Sequence, residues 1–248
     1  MQRNPYICRH SVMQACDFNN ATLNNHQRMV RTMATLQAGQ SRILKVPYFA
    51  QPTGITCQST CLKMMASYLE QAVAFQSTGA GTREILDIWK DINESKDRPV
   101  KARNAHANMK WWLERYFPLL RFEYHTITDE IRACEKVIEF INFGIPALMS
   151  VSHARVEGHI ILVVGYENYV PMMSTDDFHL VVHDPYGKFD PSLLSSIYGT
   201  KRYVGGMSLM SGGQAGPGQN CLLHMGGVGR QRLGDARRGT YYVLSARR

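Results

Sequence analysis

The sequence predicts an α+β domain, with a helical N-terminal half packed on an antiparallel β-sheet. Apolar residues recur at helical spacing as far as Ile141, and later segments are short runs of Val, Ile and Leu separated by turn residues. Helices followed by strands are typical of this fold class. The chain has 248 residues, of which 44% are hydrophobic, so it can bury a core and is not a disordered or collagen-like chain.

Four segments have the apolar spacing of helices. The predicted helices span residues 57–69, 82–92, 104–116 and 128–143. Thr82 is the expected N-cap of the second helix. Asp129 and Glu130 favour the start of the fourth helix, because acids near a helix N-terminus interact well with its dipole. Gly144 is the expected stop signal of that helix.

Short runs rich in β-branched residues predict the strands. These runs cover residues 46–49, 120–125, 146–151, 159–165, 178–183 and 239–244. Residues 205–234 hold ten of the twenty glycines without a strict repeat. That segment is predicted to form long loops with occasional short strands.

Composition divides the chain into three regions. Residues 1–42 are rich in Asn, Gln, Arg and Met and are expected to form an N-terminal extension, in which residues 26–36 have the pattern of one helix. Residues 43–200 contain most of the predicted helices and strands and form the expected core. Residues 201–248 form a Gly-rich, basic C-terminal segment that is expected to close the domain.

The net charge of +8 is concentrated at the two ends of the chain. Residues 1–45 carry six bases and one acid, and residues 201–248 carry eight bases and one acid. Residues 46–200 carry fourteen bases and eighteen acids, so the middle is mildly acidic. Basic ends predict attraction to a polyanion. No recognition motif or basic helix with interleaved aromatics indicates a specific nucleic-acid partner.

No run of eighteen apolar residues exists, so a membrane span is not expected. The first residues lack the apolar region of a secretory signal peptide. We therefore expect synthesis in the cytoplasm and, for a protein that acts outside, export by a dedicated secretion apparatus or a lysis system.

Six cysteines are too few for a disulfide scaffold, and no pair has the spacing of a zinc knuckle. His179 and His183 form no recognised metal spacing with His159, so the sequence predicts no metal and no cofactor. Cys8 and Cys16 are close enough in sequence to pair as a disulfide, for which there is no other support. The remaining question is whether one cysteine is a nucleophile.

Cys57 is the candidate nucleophile because it lies at the predicted start of a helix, where the dipole and free N–H groups stabilise a thiolate. Gln51 lies six residues upstream, and its amide and the Cys57 backbone N–H could form an oxyanion hole. Cys61 is the rival nucleophile. It lies one turn into the helix on the apolar side and is interpreted as a core residue.

His159 and Asp184 complete the candidate constellation. His159 opens the most apolar predicted strand, and Asp184 follows the next strand and precedes a proline. Adjacent antiparallel strands can bring the two side chains together, so that the carboxylate orients the imidazole. Each residue alone has an ordinary structural explanation, but together their order favours a cysteine hydrolase.

Four further residues are candidates for substrate binding. Gly158 directly precedes His159, and His153 could line the cleft or be an ordinary loop histidine. Trp111 and Trp112 are adjacent, so at most one faces the core, and Trp112 is a candidate substrate platform. Gln58 is the fourth candidate, since it directly follows Cys57.

Two stretches resemble known enzymes. QPTGITCQSTCLKMMASYL is similar to the nucleophile helix of papain-fold cysteine peptidases, and GHIILVVGYE followed by HLVVHDPYG resembles the His and Asp strands of the bacteriocin-processing peptidases, which cleave double-glycine leaders, and of their wall-degrading relatives. The resemblance implies a papain-like fold with Cys57 as nucleophile, His159 as base and acid, Asp184 as orienting group and Gln51 as oxyanion donor. Relatives usually have Cys-Gly-Pro where this chain has Cys57 and Gln58, and the bulkier Gln58 could narrow the cleft or contact substrate.

Three functions are compatible with these features. The leading expectation is a peptidoglycan peptide amidase or endopeptidase, delivered as an antibacterial effector or a lysin and possessing an immunity protein or inhibitor as partner. The second is a secreted effector that cleaves or deamidates host proteins. The third is a non-catalytic protein that binds a polyanion.

Overall fold

The structure is a computed structural model that describes residues 39–72, 79–151, 159–170, 179–189, 203–204, 216, 218–224 and 240–247. These residues all belong to one unit, Gly39–Arg248. The predicted helix at 26–36 and the candidate residues His153 and Gly158 lie outside the described residues. No helix in the described part has the length and apolarity needed to cross a membrane.

The α+β class is confirmed, because four α-helices and an antiparallel sheet make up the described part of the chain. The helices are α1 (Cys57–Ala72), α2 (Ile85–Glu94), α3 (His106–Tyr116) and α4 (Glu130–Asn142). They match the four helical segments that apolar spacing predicts.

Local backbone geometry moves three helix starts from their predicted positions. Thr82 is not the N-cap of α2: it ends a short 3-10 helix, Ala80–Thr82, and Glu84 takes the cap position. Asn104 has a positive φ of 58°, which is not helical, so α3 begins only at His106. Asp129 is the N-cap of α4, since its carboxylate accepts the backbone N–H of Arg132 at 2.8 Å.

Nine strands lie in the described part. They are β1 (Gln40–Ile43), β2 (Arg121–Ile127), β3 (Ala147–Val151), β4 (His159–Tyr169), β5 (His179–His183), β6 (Lys188–Phe189), β7 (Tyr203–Val204), β8 (Cys221–His224) and β9 (Tyr241–Arg247). Seven form one sheet in the order β2-β9-β3-β4-β5-β8, with β1 paired to β4, and β6 pairs with β7. All the pairings are antiparallel.

Two differences from the predicted strands affect the path into the site. Residues 46–49 do not form a strand; they run beside the sheet with Val46 and Tyr48 buried. The preceding residues Gln40–Ile43 form β1 although all four are exposed. Because all four residues are exposed, β1 has no alternation of buried and exposed side chains that would predict a strand. It forms because it pairs with the end of β4.

The C-terminal strand β9 lies inside the sheet, between β2 and β3. It pairs with β2 over seven residues, from Arg121↔Arg247 to Ile127↔Tyr241. Residues near the end of the chain therefore join β2 to the strands that carry the candidate site.

Gly165 allows β1 to approach β4 closely. A Cβ atom at this position would lie 2.4 Å from the Arg42 carbonyl oxygen, which is closer than Cβ atoms come to other atoms. The β4–β5 register also shifts between Val163 and Gly165. A bulge and a glycine at the same place are typical of a strand that bends.

Helix α1 packs against β4 and lies in the core. Its buried side chains include Cys61, Leu62, Met65 and Leu69, all with 0% exposure. A helix this buried has little freedom to move, so its first residue is held at a fixed place relative to the strands.

Trp112 is a core residue, and its prediction as a substrate platform is wrong. The side chain has 0% exposure, packs on Tyr116 with ring centroids 4.7 Å apart, and donates its indole N–H to Asp91 Oδ2 at 3.1 Å. The adjacent Trp111 is only partly buried and lies beside the Arg115 guanidinium.

The two tryptophans provide a matched test of this packing. Trp112→Ala is expected to lower the free energy of unfolding by about 3–5 kcal/mol, because it removes a buried aromatic side chain and leaves a cavity. Trp111→Ala is expected to cost about 1 kcal/mol, as ordinary substitutions do. Urea unfolding of both variants measures the difference, and equal losses would contradict the assignment of Trp112 to the core.

Candidate active site

Cys57 is the first residue of α1, as the sequence predicts. The turn before it is closed by Thr56, whose hydroxyl donates to the Thr53 carbonyl at 3.0 Å and accepts the Thr53 backbone N–H at 3.2 Å. The Cys57 side chain is partly exposed, whereas Thr56 is buried. The thiol therefore lies at the surface end of a buried helix.

The sheet brings His159 and Asp184 together. His159 is the first residue of β4, and Asp184 follows the last residue of β5. The register Leu162↔His183 places these two strand ends side by side. His159 Nε2 lies 2.7 Å from Asp184 Oδ1, and both residues are only 3% exposed.

The Cys57 thiol and the His159 imidazole interact, and this interaction lowers the pKa of the thiol and raises the pKa of the ring. Because Nε2 of His159 is bonded to Asp184, the other ring nitrogen, Nδ1, is the one available to the thiol. The three side chains thus follow one another from thiol to imidazole to carboxylate, and a hydrogen bond joins the last two.

The charges of this chain favour a thiolate beside an imidazolium. Burial opposes ionisation of Cys57, but the hydrogen bond and charge of His159 and the backbone N–H groups of Ile160 and Gln58 outweigh it, so the pKa of the thiol lies below its usual value. Burial likewise disfavours the imidazolium, but the Asp184 carboxylate and Cys57 raise the pKa of His159 to about 10. Both shifts favour a thiolate beside an imidazolium over a neutral thiol beside a neutral imidazole.

Tyr186 supports the carboxylate and the ring. Its backbone N–H donates to Asp184 Oδ1 at 2.9 Å, and its ring contacts the His159 ring edge-to-face with centroids 5.6 Å apart. Oδ1 therefore accepts two hydrogen bonds, which holds the carboxylate in the plane that His159 needs.

Gln51 is fully buried, and its hydrogen bonds connect it to Pro185 and Thr53. Its backbone N–H donates to the Pro185 carbonyl at 2.8 Å, next to Asp184, and its side-chain amide donates to the Thr53 carbonyl at 2.6 Å. An amide NH2 group has two N–H donors, so one remains for an oxyanion. The role of Gln51 as oxyanion donor stays a proposal.

Gln58 is buried rather than open to substrate. Its side-chain amide donates to the Asn104 carbonyl at 2.9 Å and so ties the start of α1 to the loop before α3. A side chain with 5% exposure and this bond is a structural link, which replaces the predicted contact with substrate.

Cys61 is a core residue, as the sequence predicts. It has 0% exposure, its Sγ lies 3.4 Å from the Ile160 carbonyl oxygen, and burial raises the pKa of its thiol well above the usual value. A buried neutral thiol is a poor nucleophile, so the geometry favours Cys57.

The sequence did not single out Tyr48 or Gly218, which contact the backbone of Asp184. The Tyr48 hydroxyl donates to the Asp184 carbonyl at 3.1 Å, and the Gly218 carbonyl accepts the Asp184 N–H at 2.8 Å. No sequence pattern identifies such long-range backbone contacts.

Within the described ranges, no cluster of three or more His, Cys, Asp or Glu side chains could hold a metal ion.

The ion pair predicts how Cys57 reacts with iodoacetamide. An ordinary thiol reacts about tenfold faster for each pH unit up to its pKa, because only the thiolate attacks. Because the pKa of Cys57 is lowered, its rate is expected to level off at a lower pH than the rate of an ordinary thiol. It should also react about a hundredfold or more faster at pH 6 than Cys221, because burial and the Asp184 charge raise the pKa of Cys221 to about 11.

Peptide mass spectrometry of the alkylated chain measures both rates in the same sample, so Cys221 is the internal control. A rate at Cys57 that climbs tenfold per pH unit between pH 6 and 8 would contradict the ion pair.

Comparison with known proteins identifies the family. A family model described as the Peptidase_C39 like family matches residues 43–200, which include Cys57, His159 and Asp184. No curated protein matches the sequence.

Among solved structures, the crystal structure of UfSP from C. elegans aligns with a TM-score of 0.45 and 9% identity over 85% of this chain. The chain spans 34% of the length of the UfSP chain, and a likeness of this degree supports no conclusion about reaction or substrate. The family match covers more than half of the residues, and the chain therefore belongs to the Peptidase_C39 like family.

Proposed function

We propose that this protein is a cysteine hydrolase that cleaves amide bonds through Cys57, His159 and Asp184 by way of a thioester. The observation that carries the proposal is the arrangement of the three side chains: His159 Nε2 lies 2.7 Å from Asp184 Oδ1, and the same imidazole lowers the pKa of the Cys57 thiol. A peptidase of this kind needs an ionised thiol at an accessible place, and Cys57 is the partly exposed one of the three residues.

The first half of the reaction transfers the acyl group to Cys57. The Cys57 thiolate attacks the amide carbonyl carbon, and the carbonyl π electrons move to oxygen to give a tetrahedral oxyanion. When the carbon–nitrogen bond breaks, the His159 imidazolium gives its proton to the leaving amine, and a thioester remains on Cys57. Asp184 stabilises the imidazolium and keeps its ring in place throughout.

The second half hydrolyses the thioester. Neutral His159 takes a proton from water, the oxygen attacks the thioester carbon, and the carbon–sulfur bond breaks to release the acid and restore the thiolate. The Cys57 backbone N–H and the second N–H of the Gln51 amide are the proposed donors to the oxyanion in both halves.

We propose bacterial cell-wall peptide as the substrate. The basic ends of the chain suit an anionic wall polymer, while the segment 46–200 that contains the site is mildly acidic. Such an enzyme would be delivered as an antibacterial effector or a lysin, and an immunity protein or inhibitor that covers Cys57 would protect the producing cell. Membership in a peptidase family argues against the non-catalytic alternative.

Digestion of purified sacculi tests this proposal. The wild-type chain is expected to release soluble fragments with new amino groups, and Cys57→Ala is expected to lose about a thousandfold or more of the rate, because the nucleophile is removed. Cys61→Ala is the matched control, since it changes a cysteine of the same helix that lies in the core. Wild-type activity in Cys57→Ala would overturn the mechanism.

If no variant acts on sacculi, the substrate proposal fails and the second alternative is tested on host proteins. Intact-mass measurement then separates two reactions: a gain of about one dalton indicates deamidation of glutamine, and fragments indicate proteolysis. Both reactions use the same thioester chemistry.

A further inference from the structure

We propose that the turn at residues 218–220, which lies beyond the segment matched by the family model, positions Asp184 for its hydrogen bond to His159. In this proposal Gly218 and Tyr48 are positioning residues, because they act on the substrate only through Asp184. The inference rests on the proposed function of Asp184 and adds a part of the site that residues 43–200 do not contain.

Asp184 needs partners outside its own strand. It follows the last residue of β5, and the pairing of β5 with β8 runs from His179↔His224 to Val182↔Cys221, so the ladder ends before Asp184. A buried backbone N–H or C=O without a partner is costly. The Asp184 carbonyl accepts the Gly187 N–H at 3.2 Å within its own turn, but the Asp184 N–H needs a partner from elsewhere in the chain.

Gly218 and Tyr48 provide these partners from two distant parts of the chain. The Asp184 N–H donates to the Gly218 carbonyl at 2.8 Å, and the Tyr48 hydroxyl donates to the Asp184 carbonyl at 3.1 Å. Tyr48 is 2% exposed, and burial and then the Asp184 charge raise the pKa of its hydroxyl, so it remains a donor at all ordinary pH values.

The contact leaves no room for a side chain at position 218. A Cβ atom on Gly218 would lie 1.9 Å from the Asp184 carbonyl oxygen and 2.5 Å from the Tyr48 hydroxyl. The first of these is a backbone atom, so the clash could be relieved only if Asp184 or the turn moved. Gly218 is therefore required by the same residue whose carboxylate contacts His159.

The other end of the turn holds the residue before Asp184. The Asn220 N–H donates to His183 Nδ1 at 3.2 Å, and His183 Nε2 lies 2.9 Å from the Val46 carbonyl oxygen. Burial lowers the pKa of His183, so the ring is neutral, with Nδ1 as acceptor and Nε2 as donor. His183 and Asp184 are thus both anchored by the turn.

These contacts decide the direction of the Asp184 side chain. Its Cα position is set by hydrogen bonds on both sides of the residue, and its Oδ1 then reaches His159 Nε2. Among the described residues, the ionisable groups that interact with Asp184 include His159, Tyr48, Cys61 and Cys221. Of these, only His159 forms a described hydrogen bond with the carboxylate. A shift of Asp184 would therefore change the protonation of His159 and Cys57 before that of the other groups.

Gly218→Ala tests the positioning role through the reactivity of Cys57, which needs no knowledge of the substrate. Displacement of Asp184 lowers the pKa of His159 and weakens the thiolate, so alkylation of Cys57 by iodoacetamide at pH 6 is expected to fall about tenfold for each unit by which the thiol pKa rises. Tyr48→Phe removes the hydroxyl that donates to the Asp184 carbonyl, which also accepts the Gly187 N–H, and is expected to lower the rate in the same direction, by a smaller factor.

Gly39→Ala is the matched control. Its Cβ would lie 2.5 Å from the backbone of Asn168, where β1 meets the end of β4, about 30 Å along that strand from His159. This variant is expected to lower the unfolding midpoint but to keep the wild-type rate of Cys57 alkylation at pH 6.

Each outcome decides between the claims. A wild-type alkylation rate in folded Gly218→Ala would overturn the positioning role, and if that variant does not fold, a wild-type rate in Tyr48→Phe would overturn it. A fall in the Gly39→Ala rate as large as that in Gly218→Ala would also overturn it, because any loss of stability would then explain the effect. If Cys57 of the wild-type chain reacts no faster at pH 6 than Cys221, the proposed catalytic function fails instead.

Discussion

The buried hydrogen bond between His159 and Asp184 is the interaction on which the rest of the site depends. A carboxylate and an imidazolium that are both 3% exposed are costly to bury unless each has close polar partners. The structure meets this requirement with the 2.7 Å contact between them, the Tyr186 N–H on the carboxylate and Cys57 on the imidazole. The same contacts favour the thiolate form of Cys57, which is the proposed nucleophile.

The fold holds this pair through segments that are far apart in the chain. Helix α1 brings Cys57, β4 brings His159, and the end of β5 brings Asp184. The C-terminal region contributes twice, since β9 lies between β2 and β3 and the turn at 218–220 contacts Asp184. A site assembled in this way depends on cooperative folding of the whole sheet, because no two of its parts are joined by a short local segment.

Sequence reasoning identified the helices and the site residues because their signals are local. The apolar spacing of α1 marks one buried face, and Cys57 at its start follows from that spacing. Reasoning failed where tertiary contacts decide the outcome. Helical spacing groups Trp112 with Met109 and Leu113, but it does not show whether that face meets the core or a cleft, and only the packing of α3 shows that Trp112 is buried. The exposed strand β1 likewise has no apolar pattern and forms only because β4 accepts it.

The sequence alone determined the fold class, the order of the helices and most strands, and the identity of Cys57, His159 and Asp184 as the residues to bring together. These follow from periodicity, from residue chemistry and from resemblance to a peptidase family. The tertiary structure alone decided that Gln58 is a buried link and that Tyr48 and Gly218 hold the backbone of Asp184. The physical reason is that hydrogen bonds between residues 136 positions apart, and the space denied to a single Cβ atom, depend on where the chain returns after folding, which no local pattern encodes.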